Sequence, residues 1–196
     1  MSVQIKNVNL ELSSKCLLAC PKCPRTILKG FYDEEDISLD YVKQTLDLKP
    51  KNISLLGNLG DPIYHKNFHD IMFMFDSYKQ NFTVYTNGSG FDLDWWEETY
   101  NINKGISKWV FTIDGLEDTA GQYRTGLNFN QAFDAMKKGV EKNKNVWWHF
   151  IIFKHNEHQV DDVNMLCKKL KINFKLTLNQ KWDENDPHKP IGIKNE

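Results

Sequence analysis

Segments with the period of a β-strand alternate with segments with the period of an α-helix along most of this chain, and this order limits its possible folds. Short apolar or alternating runs predict six strands, at residues 3–12, 53–56, 82–86, 109–113, 146–153 and 174–178. Five helical stripes lie between them, at residues 39–46, 68–75, 93–100, 129–140 and 160–170. Strict alternation favours a parallel sheet with right-handed crossovers. The sequence therefore predicts one α/β domain, as an open doubly wound sheet or a partial barrel.

The last sixteen residues differ from the rest of the chain. Residues 181–196 are mostly polar and contain Pro187 and Pro190, with only Trp182 and two isoleucines as large apolar side chains. So few apolar groups cannot form an independent element. We therefore expect a core domain over residues 1–180 and a polar C-terminal tail over residues 181–196.

The charge and hydropathy of the sequence give no support to nucleic-acid binding or to membrane contact. The 196 residues carry 25 basic and 26 acidic side chains, a net charge of −1, which gives no argument for nucleic acid or an acidic membrane surface. No apolar run is long enough to span a bilayer, and the first ten residues lack a secretory pattern. The sequence predicts a cytoplasmic protein with no membrane contact.

Three cysteines, Cys16, Cys20 and Cys23, crowd into eight residues after the first predicted strand. Thiolate sulfur is the ligand of iron–sulfur clusters, and a loop of this length can place three sulfurs around one small cluster. Three protein ligands for four irons would leave one iron free to bind another molecule. Cys167 lies instead on an apolar helical stripe, where a free cysteine commonly packs as a core residue. The spacing predicts metal ligation for the first three cysteines and packing for the fourth.

Two other interpretations of the cysteines are open. A structural zinc site needs four ligands, usually in two pairs, and the chain has no second pair of cysteines. His65 or His69 would then have to supply the fourth ligand. Reduced cysteines that only pack are the other alternative, although their crowding argues against it.

Further unusual segments also follow predicted strands. Residues 57–62 (Gly-Asn-Leu-Gly-Asp-Pro) follow the second strand, and residues 86–88 (Thr-Asn-Gly) end the third. Residues 111–115 (Phe-Thr-Ile-Asp-Gly) end the fourth, and residues 123–126 (Tyr-Arg-Thr-Gly) come soon after. Each segment alone would be ordinary turn or surface chemistry. In parallel sheets, the functional residues lie at the carboxyl ends of the strands. Because these segments follow successive strands, we expect them to lie close to the cysteines.

Taken with the Cys-x3-Cys-x2-Cys loop, these segments resemble the radical S-adenosylmethionine superfamily. Residues 57–62 resemble its Gly-Gly-Glu-Pro segment, residues 86–88 its Thr-Asn-Gly turn, and residues 112–115 its Ser-x-Asp-Gly strand end. Residues 123–126 resemble a stretch whose arginine often reaches the methionine carboxylate. Cys23-Pro24-Arg25 and residues 114–118 resemble the branch of sulfatase-maturating, peptide-modifying and molybdenum-cofactor enzymes. Leu59 and Asp61 depart from the family pattern, where Gly and Glu are usual.

The resemblance implies a partial (β/α)6 TIM-like barrel of parallel strands in a single domain. It implies a 4Fe–4S cluster on Cys16, Cys20 and Cys23, with S-adenosylmethionine on the open iron. Reductive cleavage of S-adenosylmethionine would give a 5′-deoxyadenosyl radical that abstracts hydrogen from a substrate, so the cofactors would carry the hard chemistry. The expected contacts to S-adenosylmethionine are Gly60, Asp61, Thr86, Thr112, Asp114 and Arg124.

The same resemblance implies partners. The electron would come from an external donor of flavodoxin or ferredoxin type, and the substrate would be a small molecule or a protein. No residue that acts on the substrate is identifiable from the sequence. Two alternatives are an activase that installs a glycyl radical in a partner enzyme, and a non-catalytic iron–sulfur or zinc binding protein.

Overall fold

A computed structural model describes residues 4–103, 107–178, 182–183 and 185–192. Six strands in these ranges form one sheet: β1 (Asn7–Glu11), β2 (Asn52–Leu56), β3 (Phe82–Thr86), β4 (Ser107–Thr112), β5 (Asn145–Ile152) and β6 (Asn173–Leu178). Seven α-helices lie in the same ranges: α1 (Pro24–Ile27), α2 (Leu39–Asp47), α3 (Phe68–Ser77), α4 (Leu93–Ile102), α5 (Ala120–Tyr123), α6 (Phe129–Glu141) and α7 (Val160–Leu170). All neighbouring strands are parallel. The predicted alternation is therefore confirmed.

The order of strands across the sheet decides between the two predicted architectures. It runs from β1 to β6 without interruption, which is also the order along the chain. A doubly wound sheet reverses direction at a switch point and so places non-consecutive strands side by side. Because every right-handed crossover advances in one direction, the helices all lie on one face of the sheet. The partial (β/α)6 barrel is confirmed, and the doubly wound alternative is wrong.

The hydrophobic core lies between the helices and the outer face of the sheet. Trp109 and Phe111 of β4, and Trp148 and Phe150 of β5, are fully buried there. Trp96 of α4 packs on Phe111 with ring centroids 5.3 Å apart. Burial of each such side chain contributes about 1.5–3 kcal/mol. This aromatic layer fixes the sheet against its helices.

The opposite, concave face of the sheet is polar. Side chains alternate along a strand, so Lys108 and Thr112 of β4, and Trp147 and His149 of β5, point away from the helices. All four are only partly buried. Alternation along β5 therefore places Trp147 and His149 on this face, while Trp148 and Phe150 pack into the core.

Side-chain caps begin three of the predicted helices. The Ser38 hydroxyl accepts a hydrogen bond from the Tyr41 amide at 3.2 Å at the start of α2. Asp92 and Asn128 cap α4 and α6 in the same way. These caps satisfy amides that have no partner within the helix, and each is worth about 1 kcal/mol.

The bounds of most predicted elements shift by one or two residues, and two larger differences have a clear physical reason. Strand β1 begins at Asn7 rather than at residue 3, because its partner β2 begins at Asn52, opposite Asn7. Residue 3 itself lies outside the described residues. Leu93, predicted on the apolar face of its helix, is 42% exposed because it is the first residue of α4 and precedes the buried turn.

The C-terminal tail packs on the carboxyl ends of the strands wherever it is described. Asp186 forms an ion pair with Lys22, between the second and third cysteines of the loop. The Lys154 amide donates to the carbonyl of His188 at 2.9 Å, and the Gly192 amide donates to Glu157 at 3.0 Å. The predicted boundary between residues 180 and 181, and residues 193–196, lie outside the described residues. None of the described helices combines the length and the apolar character that crossing a membrane requires.

Candidate functional site

The cysteine loop joins the end of β1 to α1. Cys16, Cys20 and Cys23 are half-buried free thiols, and the Cys23 amide donates to the Cys20 carbonyl at 3.1 Å. Cys23 is also the N-cap of α1, with Pro24 at the first helical position. Proline there sets the backbone for a helix without losing a hydrogen bond. The last cysteine is therefore held at a helix start.

Arg25 donates hydrogen bonds to the backbone of this loop. Its Nε donates to the Ser14 carbonyl at 3.2 Å, and its Nη1 donates to the Leu18 carbonyl at 3.3 Å. The same guanidinium forms an ion pair with Glu34. Because Arg25 has a rigid fork of donors, one side chain can join two points of the loop. The motif Cys-Pro-Arg thus has a structural use that the sequence did not reveal.

One cavity of about 130 Å³ joins the cysteine loop to the ends of β2, β3 and β4. The residues that line it are Cys16, Leu18, Cys20, Cys23, Arg25, Gly57, Leu59, Gly60, Asp61, Tyr85, Thr86, Asn87, Thr112 and Arg124. All predicted site residues except Asp114 contribute to this lining. Segments far apart in the chain therefore meet at one edge of the sheet, as their positions after successive strands predicted.

The donor set of the cavity fits an iron–sulfur cluster better than a single metal ion. Three thiols face it, and thiolates are the protein ligands of such clusters. Among the described residues, no three His, Cys, Asp or Glu side chains converge closely enough to hold one metal ion. The three sulfur atoms that hold a cubane can lie further apart than the ligands of a single ion, because each thiolate binds a different iron. The zinc alternative has no preformed site in this part of the chain.

Two of the thiols, Cys16 and Cys20, lie in an environment that opposes ionisation. Burial, together with the nearby Asp61 carboxylate, raises the pKa of Cys16 to about 12. Burial also raises the pKa of Cys20. Iron binds the thiolate form and displaces the proton, so loading of this loop would release protons.

A larger hollow, of about 450 Å³, lies beside the end of α4. Phe73, Glu97 and Ile102 line it, and it contains neither a thiol nor a predicted site residue. The smaller cavity is therefore the candidate site, because reactive side chains rather than volume define a site.

Asp61 is buried at the centre of the site and accepts several hydrogen bonds. Its Oδ2 accepts from the Asn87 amide at 2.7 Å, the Asn87 Nδ2 at 2.6 Å and the Thr86 hydroxyl at 3.1 Å. Its Oδ1 accepts from the Ile63 amide at 3.3 Å. The carboxylate thus joins the segment after β2 to the end of β3. Asp61 therefore holds two segments of the cavity wall together in this structure.

Gly60 is required by the packing of two loops. A Cβ at this position would lie 2.2 Å from the carbonyl oxygen of Ser13. The backbone of residues 13–14 therefore approaches Gly60 more closely than any side chain allows. The glycine predicted as a cofactor contact has this structural role in addition to lining the cavity.

Asp61→Asn should destabilise the protein by about 1–3 kcal/mol, because one amide cannot accept all of these hydrogen bonds. The oxygen of the new side chain would serve Asn87 and Thr86, and its NH2 would then face the Ile63 amide. Urea unfolding measures the change. Asp92→Asn is the matched control, because Asn caps a helix as well as Asp does. Equal stability of the two variants would contradict this role of Asp61.

The same variant should change the pH dependence of stability. Burial raises the pKa of Asp61 to about 6, from 3.8. Between these values the native protein holds a proton that the unfolded chain has lost, so the contribution of Asp61 to the free energy of unfolding falls as pH rises from 3.8 to about 6. The stability advantage of the parent over Asp61→Asn should therefore be largest on the acid side of this window and narrow as pH rises through it. Parallel curves would be inconsistent with the shift.

Asp114 and Arg124 form a buried ion pair beside the cavity. Arg124 Nε lies 2.7 Å from Asp114 Oδ2, and the Asp114 side chain is fully buried. The Ile151 amide donates to Asp114 Oδ1 at 2.9 Å. Burial raises the pKa of Asp114, while the charge of Arg124 opposes the rise. Arg124 lines the cavity. Asp114 does not line it, but contacts both Arg124 and the Ile151 amide of β5.

The two predicted threonines have different environments. Thr86 is buried, and its hydroxyl also accepts a hydrogen bond from the Gly88 amide at 3.0 Å. Thr112 is partly buried on the concave face and lines the cavity. Of the two, Thr112 is the one available to a bound molecule. Cys167 is buried in α7, as predicted.

Sequence reasoning missed Asn87 as a residue of the site in its own right. Its Nδ2 lies 3.5 Å from the Cys16 sulfur and also donates to Asp61. It therefore connects the cysteine loop to the end of β3. The Thr-Asn-Gly turn was the available signal, but a tight turn explains an asparagine equally well.

No protein-family model and no curated protein sequence matches this chain. Several solved structures share its fold. SuiB of Streptococcus suis, bound to S-adenosylmethionine, superposes with a TM-score of 0.71 at 18% identity, over 96% of this chain and 44% of SuiB. The protein anSMEcpe with bound AdoMet gives 0.70 at 16% identity, over 94% of this chain and 54% of the other.

BtrN in complex with AdoMet and 2-DOIA is similar over a smaller region. Its TM-score is 0.54 at 20% identity, over 76% of this chain and 58% of BtrN. The present chain thus spans about half the length of these structures. It has the fold of these AdoMet-bound proteins.

Proposed function

We propose that this chain is the core of a radical S-adenosylmethionine enzyme that holds a 4Fe–4S cluster on Cys16, Cys20 and Cys23. The observation that carries this proposal is the single cavity that brings the three thiols together with the ends of β2, β3 and β4. When bound, the cluster and S-adenosylmethionine would supply reductive formation of a 5′-deoxyadenosyl radical, which takes hydrogen from a substrate.

The residues of the chain would position these groups. Arg25 holds the cysteine loop in one conformation, and Asn87 fixes the side of the loop that carries Cys16. Arg124 offers a cation to the methionine carboxylate, and Asp114 holds that cation in place. Gly60 and Thr112 complete the wall at which S-adenosylmethionine would lie.

The proposal includes an external one-electron donor of flavodoxin or ferredoxin type. Leu17 and Phe31, on and after the cysteine loop, are 64% and 85% exposed. Exposed apolar side chains near a redox site are suited to a transient protein contact. The substrate is a small molecule or a peptide: SuiB has been solved with the precursor peptide SuiA, and BtrN with 2-DOIA.

Anaerobic reconstitution with iron and sulfide tests this function. We expect about four irons and four sulfides per chain, since three thiolates can hold only one cubane. With dithionite and S-adenosylmethionine, the reconstituted protein should form 5′-deoxyadenosine and methionine without added substrate. The control is the same protein without iron, which should form neither.

The outcomes also separate the alternative functions. Iron binding without any cleavage of S-adenosylmethionine would indicate a non-catalytic iron–sulfur protein. One tightly bound zinc in place of iron would indicate a structural zinc site. Cleavage that occurs only with a large partner enzyme, and leaves a glycyl radical on that partner, would indicate an activase.

A further inference from the structure

The concave face of the sheet carries a group of basic side chains outside the cysteine cavity, two of them lysines. Lys108 lies on β4, His149 on β5 and Lys175 on β6, and we call these three residues the cationic face. His149 and Lys175 are register partners on neighbouring strands, so their side chains leave the sheet on the same side. Three adjacent strands therefore present basic side chains to one surface.

No carboxylate neutralises this face within the part of the chain that the structure describes. None of the ion pairs among the described residues involves Lys108 or Lys175. The Lys108 ammonium lies instead over the Trp147 ring, 3.7 Å from its centroid. A cation on an aromatic face keeps its charge available to an anion.

The charges of Lys108 and Lys175 repel each other. Burial, together with the charges of Lys175, Arg124 and Lys108, lowers the pKa of His149 to about 4. Burial and the charge of Lys175 also lower the pKa of Lys108. His149 Nε2 lies 2.8 Å from the Thr177 hydroxyl, which orients the ring. An anion bound here would relieve the repulsion between these side chains.

The cationic face adjoins the proposed cofactor site. His149 is the register partner of Thr112, which lines the cysteine cavity. Arg124, another residue of that cavity, acts electrostatically on His149. A molecule held by the cationic face would therefore lie next to S-adenosylmethionine.

We infer that the cationic face binds an anionic group, phosphate or carboxylate, of the substrate of this enzyme. This inference rests on the proposed function, because the adjoining site gives the bound molecule its role as substrate. Two lysines on separate strands fix such a group at two points, and Thr177 and His149 add hydrogen-bonding capacity.

Calorimetric titration of the reconstituted protein at low ionic strength, with inorganic phosphate and with acetate, tests this inference. Saturable binding that persists with S-adenosylmethionine present is the expected result. The anion that binds more tightly then identifies a phosphorylated or a carboxylated substrate. Absence of binding, or its complete loss when S-adenosylmethionine is added, would overturn the inference.

Variants locate the bound anion. Lys108→Met and Lys175→Met should each weaken its binding about tenfold, the effect of losing one charge-assisted contact. Lys175 is exposed on the edge strand β6, so its variant tests the site even if Lys108→Met fails to fold. Lys168→Met, an equal change of charge on the exposed surface of α7, is the control and should bind as the parent does. Equal affinity in all three variants would place the anion elsewhere.

The failure of this inference is distinguishable from that of the proposed function. Cleavage of S-adenosylmethionine is measured separately, on the unsubstituted protein. Cleavage of S-adenosylmethionine without anion binding would contradict the inference about the cationic face and support the proposed function. Anion binding without cleavage would contradict the proposed function and support anion binding at the cationic face.

Discussion

Cys20→Ala is expected to yield a folded protein that retains no 4Fe–4S cluster and forms no 5′-deoxyadenosine. The variant leaves two of three thiolates, and a cubane with two protein ligands loses its attachment to the loop. The backbone bond from the Cys23 amide to the Cys20 carbonyl does not involve the side chain, so the loop keeps this contact. Iron and sulfide analysis after anaerobic reconstitution, with visible absorption, measures the loss.

Cys167→Ala provides the matched control for this prediction. The same atoms are removed, but from the buried face of α7 rather than from the loop. Cluster content and cleavage of S-adenosylmethionine should stay at the level of the parent, with only a modest loss of stability from the small cavity. A cluster that survives in Cys20→Ala and disappears in Cys167→Ala would refute the ligand assignment.

Arg124→Met should destabilise the protein by about 3–5 kcal/mol, because it leaves the Asp114 carboxylate buried without its cation. The remaining hydrogen bond from the Ile151 amide cannot replace the lost charge. Urea unfolding of the parent and the variant measures the change. Weaker binding of S-adenosylmethionine is also expected wherever the variant remains folded, since the cavity loses a cation.

A double variant separates the two effects of Arg124. Asp114→Asn combined with Arg124→Met removes both charges and should recover much of the lost stability without recovering affinity for S-adenosylmethionine. Lys142→Met breaks the exposed pair with Glu97 and should change stability by less than about 1 kcal/mol. If the single and double variants unfold alike, the ion pair does not control stability.

The fold was largely predictable because its elements have strong periodic signals. Apolar runs located β3 at residues 82–86, and a stripe of large side chains located α6. The barrel itself did not follow from periodicity, since alternation fits two strand orders. It followed from the resemblance of the motifs to one family, and the observed sheet order confirms it.

The site was predictable in its position more than in its contacts. Because parallel strands end at one edge, the sequence placed Asp61, Thr86 and Arg124 near the cysteines. It did not show that the Asp61 carboxylate turns inward to Asn87, or that Arg124 pairs with Asp114. Side-chain direction at a strand end depends on contacts between residues that are 26 or 10 positions apart, which no local pattern encodes. The cationic face was missed for the same reason, since its members lie on three strands.

The sequential order of the strands has a consequence for how the chain folds. Each strand pairs with the next one along the chain, so no strand waits for a distant partner and the entropy of loop closure stays small. Cys16, Asp61 and Asn87 all lie within the first three strand–loop units. The loop that carries the thiols, and the part of the wall formed by Asp61 and Asn87, are therefore synthesised before the segment that supplies Thr112 and Arg124. The cavity is complete only once that later segment has joined the barrel, where its Thr125 carbonyl accepts a hydrogen bond from the Ala19 amide of the cysteine loop.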